Sequence, residues 1–169
     1  MNRVNNYPIP TIESLKEDIS ALKELLEKTE AVGVTGSLAH GCFKKWTSDI
    51  DFFIIQRVSV SDKERDEMRS ALQKLAWERY GRGADVLFYT LRGLKAIPSW
   101  YTVIMASDGV LLHDKGRVKK IFHRIVSLAQ KKGLVHKFYD GQPVWEMGRP
   151  MKPGEIISLK LEDDENDQR

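Results

Sequence analysis

The chain has 169 residues, 41% hydrophobic and 30% charged, with a formal net charge of +3; one core suffices at this length, and a charge so small does not announce a nucleic-acid binder. The composition excludes fibrous and low-complexity chains. No apolar run reaches the roughly 18 to 20 residues of a membrane helix, MNRVNNYPIP lacks the apolar core of a signal, and the single Cys42 cannot close an internal disulfide, so the cytoplasm is the expected compartment.

From Thr11 to about Lys28, Ile12, Leu15, Ile19, Leu22, Leu25 and Leu26 recur every three or four positions, which predicts one amphipathic helix. AVGVTG then reads as a buried strand running into a turn, and a loop from Ser37 to Ser48 leads to IDFFII, apolar enough for a central strand. Ser61 and Glu64 form a capping-box pair, and Met68, Leu72, Leu75 and Ala76 give residues 61–80 a helical stripe that ends at GRG. ADVLFYT is a third strand, apolar enough to be covered on both faces. A helix over about 99–107 and a short edge strand in SDGVLLHD follow.

Val118, Ile121, Phe122, Ile125 and Leu128 predict a helix over 117–132, whose opposite side carries Arg117, Lys120, Arg124 and Lys131. Such a basic face binds RNA, binds an acidic partner, or is merely solvated. HKFY, DG and QPVW read as two short strands about a tight turn, with Pro143 confining the second to an edge, and IISLKL reads as a last strand. The acidic tail after Leu161 is expected to be disordered. Alternating helices and strands predict an α/β fold with a mixed central sheet flanked by helices.

Asp49 and Asp51 stand two apart at the head of a strand, so both project to one side while Ile50 and Phe52 project to the other. Two carboxylates held so close repel unless a proton or cation lies between them, and oxygen donors of this kind suit Mg²⁺ or Mn²⁺. The plainer alternative is a pair of solvated rim acids. Gly36 and Ser37 close the preceding strand, where backbone N–H groups and a hydroxyl suit a phosphate, although Gly-Ser after a strand also makes an ordinary turn. Together they set a phosphate cradle beside an acidic platform. Lys44 and Lys45 in the loop have a solvated explanation; nothing in the sequence marks Cys42 as a nucleophile; and His40, His113, His123 and His136 lack zinc spacing.

GSLAHGCFKKWTSDIDFFII resembles the signature of the DNA polymerase beta-like nucleotidyltransferases, specifically their minimal stand-alone members (MNT type): Gly-Ser, a small-residue loop with glycine, then Ser-Asp-hydrophobic-Asp. The resemblance spans about residues 12–114. His40 departs from it, since many minimal members carry arginine before the loop glycine. The resemblance implies a third acid on a later strand, where Asp85 stands. It further implies a metal-dependent transferase in which Asp49, Asp51 and Asp85 hold two Mg²⁺ (or Mn²⁺) ions and act in catalysis, while Gly36 and Ser37 bind the nucleotide phosphates.

On this reading residues 1–133 are the nucleotidyltransferase core, 134–161 a β extension of the same domain, and 162–169 the tail. The donor is an NTP, ATP first. Few residues follow the core, so a second subunit or partner, in a homo- or hetero-oligomer, is expected to complete the acceptor site. The family implies a HEPN-type protein partner, as in toxin–antitoxin pairs, with the acceptor hydroxyl on that partner. RNA as acceptor ranks behind it, and a non-catalytic nucleotide-binding module that regulates a partner by binding is the alternative from another functional class. No membrane is expected.

Overall fold

The computed structural model describes residues 7–161, so the acidic tail lies outside the described residues. In chain order the elements are α1 (Ile12–Ser20), α2 (Lys23–Glu27), β1 (Ala31–Thr35), α3 (Gly36–Ala39), β2 (Ile50–Gln56), α4 (Asp62–Tyr80), β3 (Ala84–Thr90), α5 (Leu91–Lys95), α6 (Trp100–Asp108), β4 (Val110–Asp114), α7 (Val118–Lys131), β5 (Leu134–Tyr139) and β6 (Gln142–Met147). Four strands form one sheet in the order β3-β2-β1-β4, and β5 and β6 form a separate hairpin.

The sheet is mixed because the connections differ in length. A short helix and loop return the chain from β1 to β2, which pair antiparallel, whereas the 19-residue α4 carries it across to β3, which pairs parallel to β2. Alternation along β2 supplies both faces. Phe52 and Ile54 pack with Leu15, Ile19, Leu72 and Ala76 of α1 and α4. Phe53 and Ile55 pack with Met105, Phe122 and Ile125 of α6 and α7. A helix layer on each side of one sheet is the expected α/β arrangement.

Thr11 and Ser61 cap α1 and α4, each in a reciprocal capping box. The single helix expected over Thr11–Lys28 instead breaks at Ala21 and Leu22, and the short α2 then turns Leu25 into the core beneath α4. The stretch expected to be covered on both faces, ADVLFYT, is an edge strand on which Asp85 and Leu87 are exposed. Its apolar composition misleads because Val86 and Phe88 serve the face under α4 while Tyr89 packs against the other core.

The DG turn between β5 and β6 takes positive φ at both residues, 50° at Asp140 and 77° at Gly141, the backbone that a two-residue hairpin requires. The hairpin is fastened by Trp145, which is buried, stacks on His136 at 4.9 Å, and donates from its indole Nε1–H to Ser107 Oγ at 3.1 Å. IISLKL does not form a strand. Ile157, Leu159 and Leu161 alternate into the α6–α7 core with strand period, but the segment joins neither sheet among the described residues, and it is tied instead by a bond from the Leu161 N–H to the Lys95 carbonyl at 3.0 Å. No helix among the described residues is long and apolar enough to cross a membrane.

Gly33 sits in the middle of β1 because the Phe53 ring occupies the space of its side chain: a Cβ there would lie 2.2 Å from Phe53 Cζ. Gly33→Ala is therefore expected to destabilise the fold by about 1 to 3 kcal/mol, the usual range for overpacking. The check is urea denaturation, and adding Phe53→Leu should make the double variant less destabilised than the sum of the two single changes.

Candidate active site

Register places the acids. Thr35, the last residue of β1, stands opposite Asp51 on β2, and Asp51 stands opposite Asp85 on β3. The result is one polar row, Thr35–Asp51–Asp85, across three adjacent strands. Asp49 lies one residue before β2 and is exposed. Ile50 and Phe52 are held in the α1–α4 core, so the carboxylates must emerge on the opposite face.

Two glycines make room for them. Gly36 has φ of +66°, and a Cβ on it would lie 2.2 Å from Asp51 Oδ2. Gly83, just before β3, would bring a Cβ to 2.6 Å from Asp49 Oδ1. The structure thus brings Gly36 against Asp51 and sets Asp85 beside it, while Asp49 leans toward Gly83. Ser37 follows Gly36 in α3, and its carbonyl accepts from the Cys42 N–H at 2.9 Å, which closes the start of the loop. The strand-to-turn expected at Gly36–Ser37 is in fact this one-turn helix.

Asp51 is half-buried. Burial first, then the negative charge of Asp85, then that of Asp49, push its carboxyl above the ordinary carboxylate range. The charged form of Asp51 is thus disfavoured by its surroundings. Oxygen donors alone, mutually repelling and partly shielded from water, fit a hard divalent cation in kind. They are not converged as they stand: among the described residues no group of three or more His, Cys, Asp or Glu side chains is gathered closely enough to hold a metal ion.

Sequence reasoning missed Tyr101, on the first turn of α6. It lines a cleft of about 360 Å³ together with Asp51, Asp85, Arg69 and Gln73. Burial raises its hydroxyl above the usual tyrosine range, a hydrogen bond with the Thr35 side chain pulls the other way, and the charge of Asp51 adds to the rise. No periodicity marks it, because Trp100 and Tyr101 are both aromatic at a helix start. Of the loop residues, Trp46 is exposed and lies under both Lys45 Nζ at 5.0 Å and the Arg82 guanidinium at 5.9 Å, so Lys45 has an aromatic partner. His40, at the position of the family's arginine, has its Nε2 buried without a hydrogen-bond partner. Cys42 is exposed.

Residues 15–102 match the family model described as "Nucleotidyltransferase domain". That span takes in Gly36, Ser37, Asp49, Asp51, Asp85 and Tyr101. Among curated proteins none matches the chain. Similar solved structures include a mutant of the toxin–antitoxin MntA-HpeT, at 14% identity over 68% of this chain and 85% of that one, with a TM-score of 0.47. Another is the tri-AMPylated Shewanella oneidensis HEPN toxin in complex with MNT antitoxin, at 18% identity over 72% and 88%, TM-score 0.46. A third is a toxin–antitoxin with AMP-PNP, at 17% identity over 68% and 86%, TM-score 0.47.

Because the folded chain raises Asp51 above its unfolded value, ionising it opposes folding, and stability is lost as pH rises from the ordinary carboxylate range through the folded value. Below that range Asp51 is protonated in both states and the effect vanishes. Without added divalent ion, Asp51→Asn is accordingly expected to melt above the wild type at about pH 7, with the gap closing by about pH 3.5. Thermal melts followed by circular dichroism at the two pH values check this.

Proposed function

This chain belongs to the nucleotidyltransferase domain family, and from that we propose that it moves a nucleoside monophosphate, AMP from ATP, onto a hydroxyl of a partner protein. The observation that carries the proposal is the Thr35–Asp51–Asp85 row with Gly36 packed against Asp51, inside the matched segment.

In the transfer, the acceptor hydroxyl oxygen attacks the α-phosphorus, the bond from that phosphorus to the bridging oxygen breaks, and pyrophosphate leaves with the bonding electrons. The hydroxyl proton goes to a base. Asp85 is suited to take it, being exposed at the sheet edge beside Asp51. Gly36, without a side chain, lets the triphosphate approach the end of β1, and Ser37 offers a hydroxyl there. Asp49, Asp51 and Asp85 would hold Mg²⁺ or Mn²⁺, which when bound neutralises phosphate charge and eases ionisation of the acceptor hydroxyl. Tyr101 lines the cleft beside the row and hydrogen-bonds with the Thr35 side chain at its end.

The choice of a protein acceptor rests on what walls the site has. A small acceptor needs a concavity that buries most of its surface. Among the described residues, the cleft beside Asp51 and Asp85 is lined from β2, β3, α4 and the first turn of α6, and none of its lining residues lies on α7 or the hairpin. A protein brings its own wall with the hydroxyl it presents. A HEPN-type partner follows from the likeness of the Gly-Ser to Asp-Ile-Asp motif to minimal nucleotidyltransferases, and the basic side of α7 would steer an acidic partner toward the site.

Asp49→Asn and Asp51→Asn are each expected to lower turnover at least about a hundredfold, the scale of losing a group that acts in the transition state. Asp85→Asn should lower turnover while retaining more NTP affinity than either, because its role lies on the acceptor side. Isothermal titration with ATP and Mg²⁺, beside turnover, separates the two effects, and equal loss of binding in all three variants would contradict the division of roles.

The acceptor is tested by incubating the protein and Mg²⁺ with α-labelled ATP and either the protein that co-purifies with it or total RNA. Label is expected on the protein. Label confined to RNA would refute the protein acceptor and leave nucleotide transfer standing, whereas no transfer in any arm from folded, ATP-binding protein would favour a non-catalytic module.

A further inference from the structure

Strand β3 is an edge: it pairs with β2 on one side, and no other strand joins it among the described residues. The Ile50 N–H donates to the Gly83 carbonyl at 3.0 Å, and with Ile50 opposite Ala84 this parallel register turns the N–H and C=O groups of Asp85, Leu87 and Tyr89 toward β2 and those of Val86 and Phe88 away from it. The Ala84 carbonyl, which faces the same way as theirs, accepts from Gln73 Nε2 at 3.3 Å. Beyond it, the outward groups of Val86 and Phe88 take no hydrogen-bond partner among the described residues. Edges are ordinarily blunted by lysine, proline or a bulge. ADVLFYT has neither lysine nor proline, and its register with β2 runs unbroken from Ala84 to Thr90.

This open edge borders the acids. Asp85 and Leu87 project to the face of Asp51; Asp85 is exposed, Leu87 is 41% exposed, and both line the cleft of about 360 Å³ that also holds Tyr101. The row Thr35–Asp51–Asp85 therefore continues, one strand beyond β3, to a position on the same face. We propose that the acceptor protein adds an extended segment antiparallel to β3 and sets its hydroxyl residue at that position, opposite Asp85. The inference rests on nucleotide transfer to a protein, the reading given above. Antiparallel addition follows from the register. Because Asp85 directs its backbone to β2, it forms with the residue opposite it a non-hydrogen-bonded pair, the closer kind, with Cα atoms about 4.5 Å apart. The two side chains then stand together on the acidic face, where Asp85 takes the hydroxyl proton as that oxygen attacks the α-phosphorus and pyrophosphate leaves. Val86 and Phe88 supply main-chain bonds, and Leu87 offers an apolar contact to the residue two along from the hydroxyl. A second copy of this chain is a poorer occupant: paired antiparallel at the same edge, it would bring its own acids onto the same face.

The test follows amide hydrogen exchange by NMR in the isotope-labelled full-length chain, alone and with saturating amounts of the protein that co-purifies with it. Exchange at Val86 and Phe88 is expected to slow at least about tenfold in the complex, and by more than at Asp85 and Leu87, whose amides already bond to β2. Transfer from α-labelled ATP supplies the second readout. Val86→Pro removes one outward N–H on an edge strand, where proline is tolerated. It is expected to raise the KM for the co-purifying protein at least about tenfold, the scale of one lost hydrogen bond, while ATP affinity by titration is retained. Val86→Ala, which keeps that N–H, should raise the KM less. No slowing at Val86 and Phe88 in a complex that still transfers label would overturn docking at this edge and leave transfer to a protein standing. Label on RNA alone, or on nothing, would overturn both readings. Slowing that appears in the chain alone and grows with its concentration would assign the edge to a second copy and overturn the proposal as well.

Discussion

Strand β2 is held in register on two sides at once, antiparallel to β1 and parallel to β3, and both cores and the acidic row depend on that alignment. A slip of one residue against either neighbour would exchange Phe52 and Ile54 with Phe53 and Ile55 and carry Asp51 into the α1–α4 layer. Neither core could accept the exchange. The α1–α4 side is closed by Leu72, Ala76 and Leu15, all without exposure, and the other by Met105 and Ile125, likewise without exposure. Gly33 reinforces the register, since only a residue without a side chain fits beneath the Phe53 ring. Burial therefore fixes the position of a charge that itself opposes burial.

That opposition explains the local chemistry of the site. A fold selected for stability alone would not place a half-buried carboxylate between Asp49 and Asp85, both of which raise it. The row is supported instead by what lies around it: Thr35 is almost fully buried, Tyr101 bridges to it from α6, and Gly36 and Gly83 give the carboxylates space. Glycine at 36 is required twice, by its positive φ and by the approach of Asp51 Oδ2. Desolvation and repulsion at Asp51 are thus concentrated on one strand end, within an otherwise apolar sheet.

What the sequence made legible followed from period and punctuation. The apolar, β-rich run IDFFII and the capping pair Ser61 and Glu64 located β2 and α4 closely, and DG located the hairpin turn. Placement of Asp51 and Asp85 on strands, with Asp49 one residue before β2, came with them. Failures arose where a partner in space decides the outcome. Apolar content could not distinguish the edge position of β3 from a central one, and the alternating Ile157, Leu159 and Leu161 have strand period but no neighbouring strand to bond. Tyr101 was invisible because its relation to Thr35 and Asp51 spans some fifty residues of chain and depends on how α6 packs, a fact no local window contains.

Helix α6 links the parts that local reading kept separate. Its first turn carries Tyr101 at the acidic row, and its last carries Ser107 and Asp108, which meet the hairpin: Ser107 accepts from Trp145, and Asp108 Oδ2 lies 3.3 Å from His136 Nε2. Between those turns Thr102, Val103, Met105 and Ala106 are buried, so the helix cannot tilt freely without disturbing the core. Nine helical residues span roughly 14 Å. The hairpin presents Phe138 and Tyr139 to solvent, 62% and 52% exposed, at the far end of this strut. The contact from the hairpin runs through Trp145 to Ser107 on the last turn of α6, the helix whose first turn carries Tyr101. The hairpin and Tyr101 are thus attached to opposite ends of one helix whose middle is buried in the core.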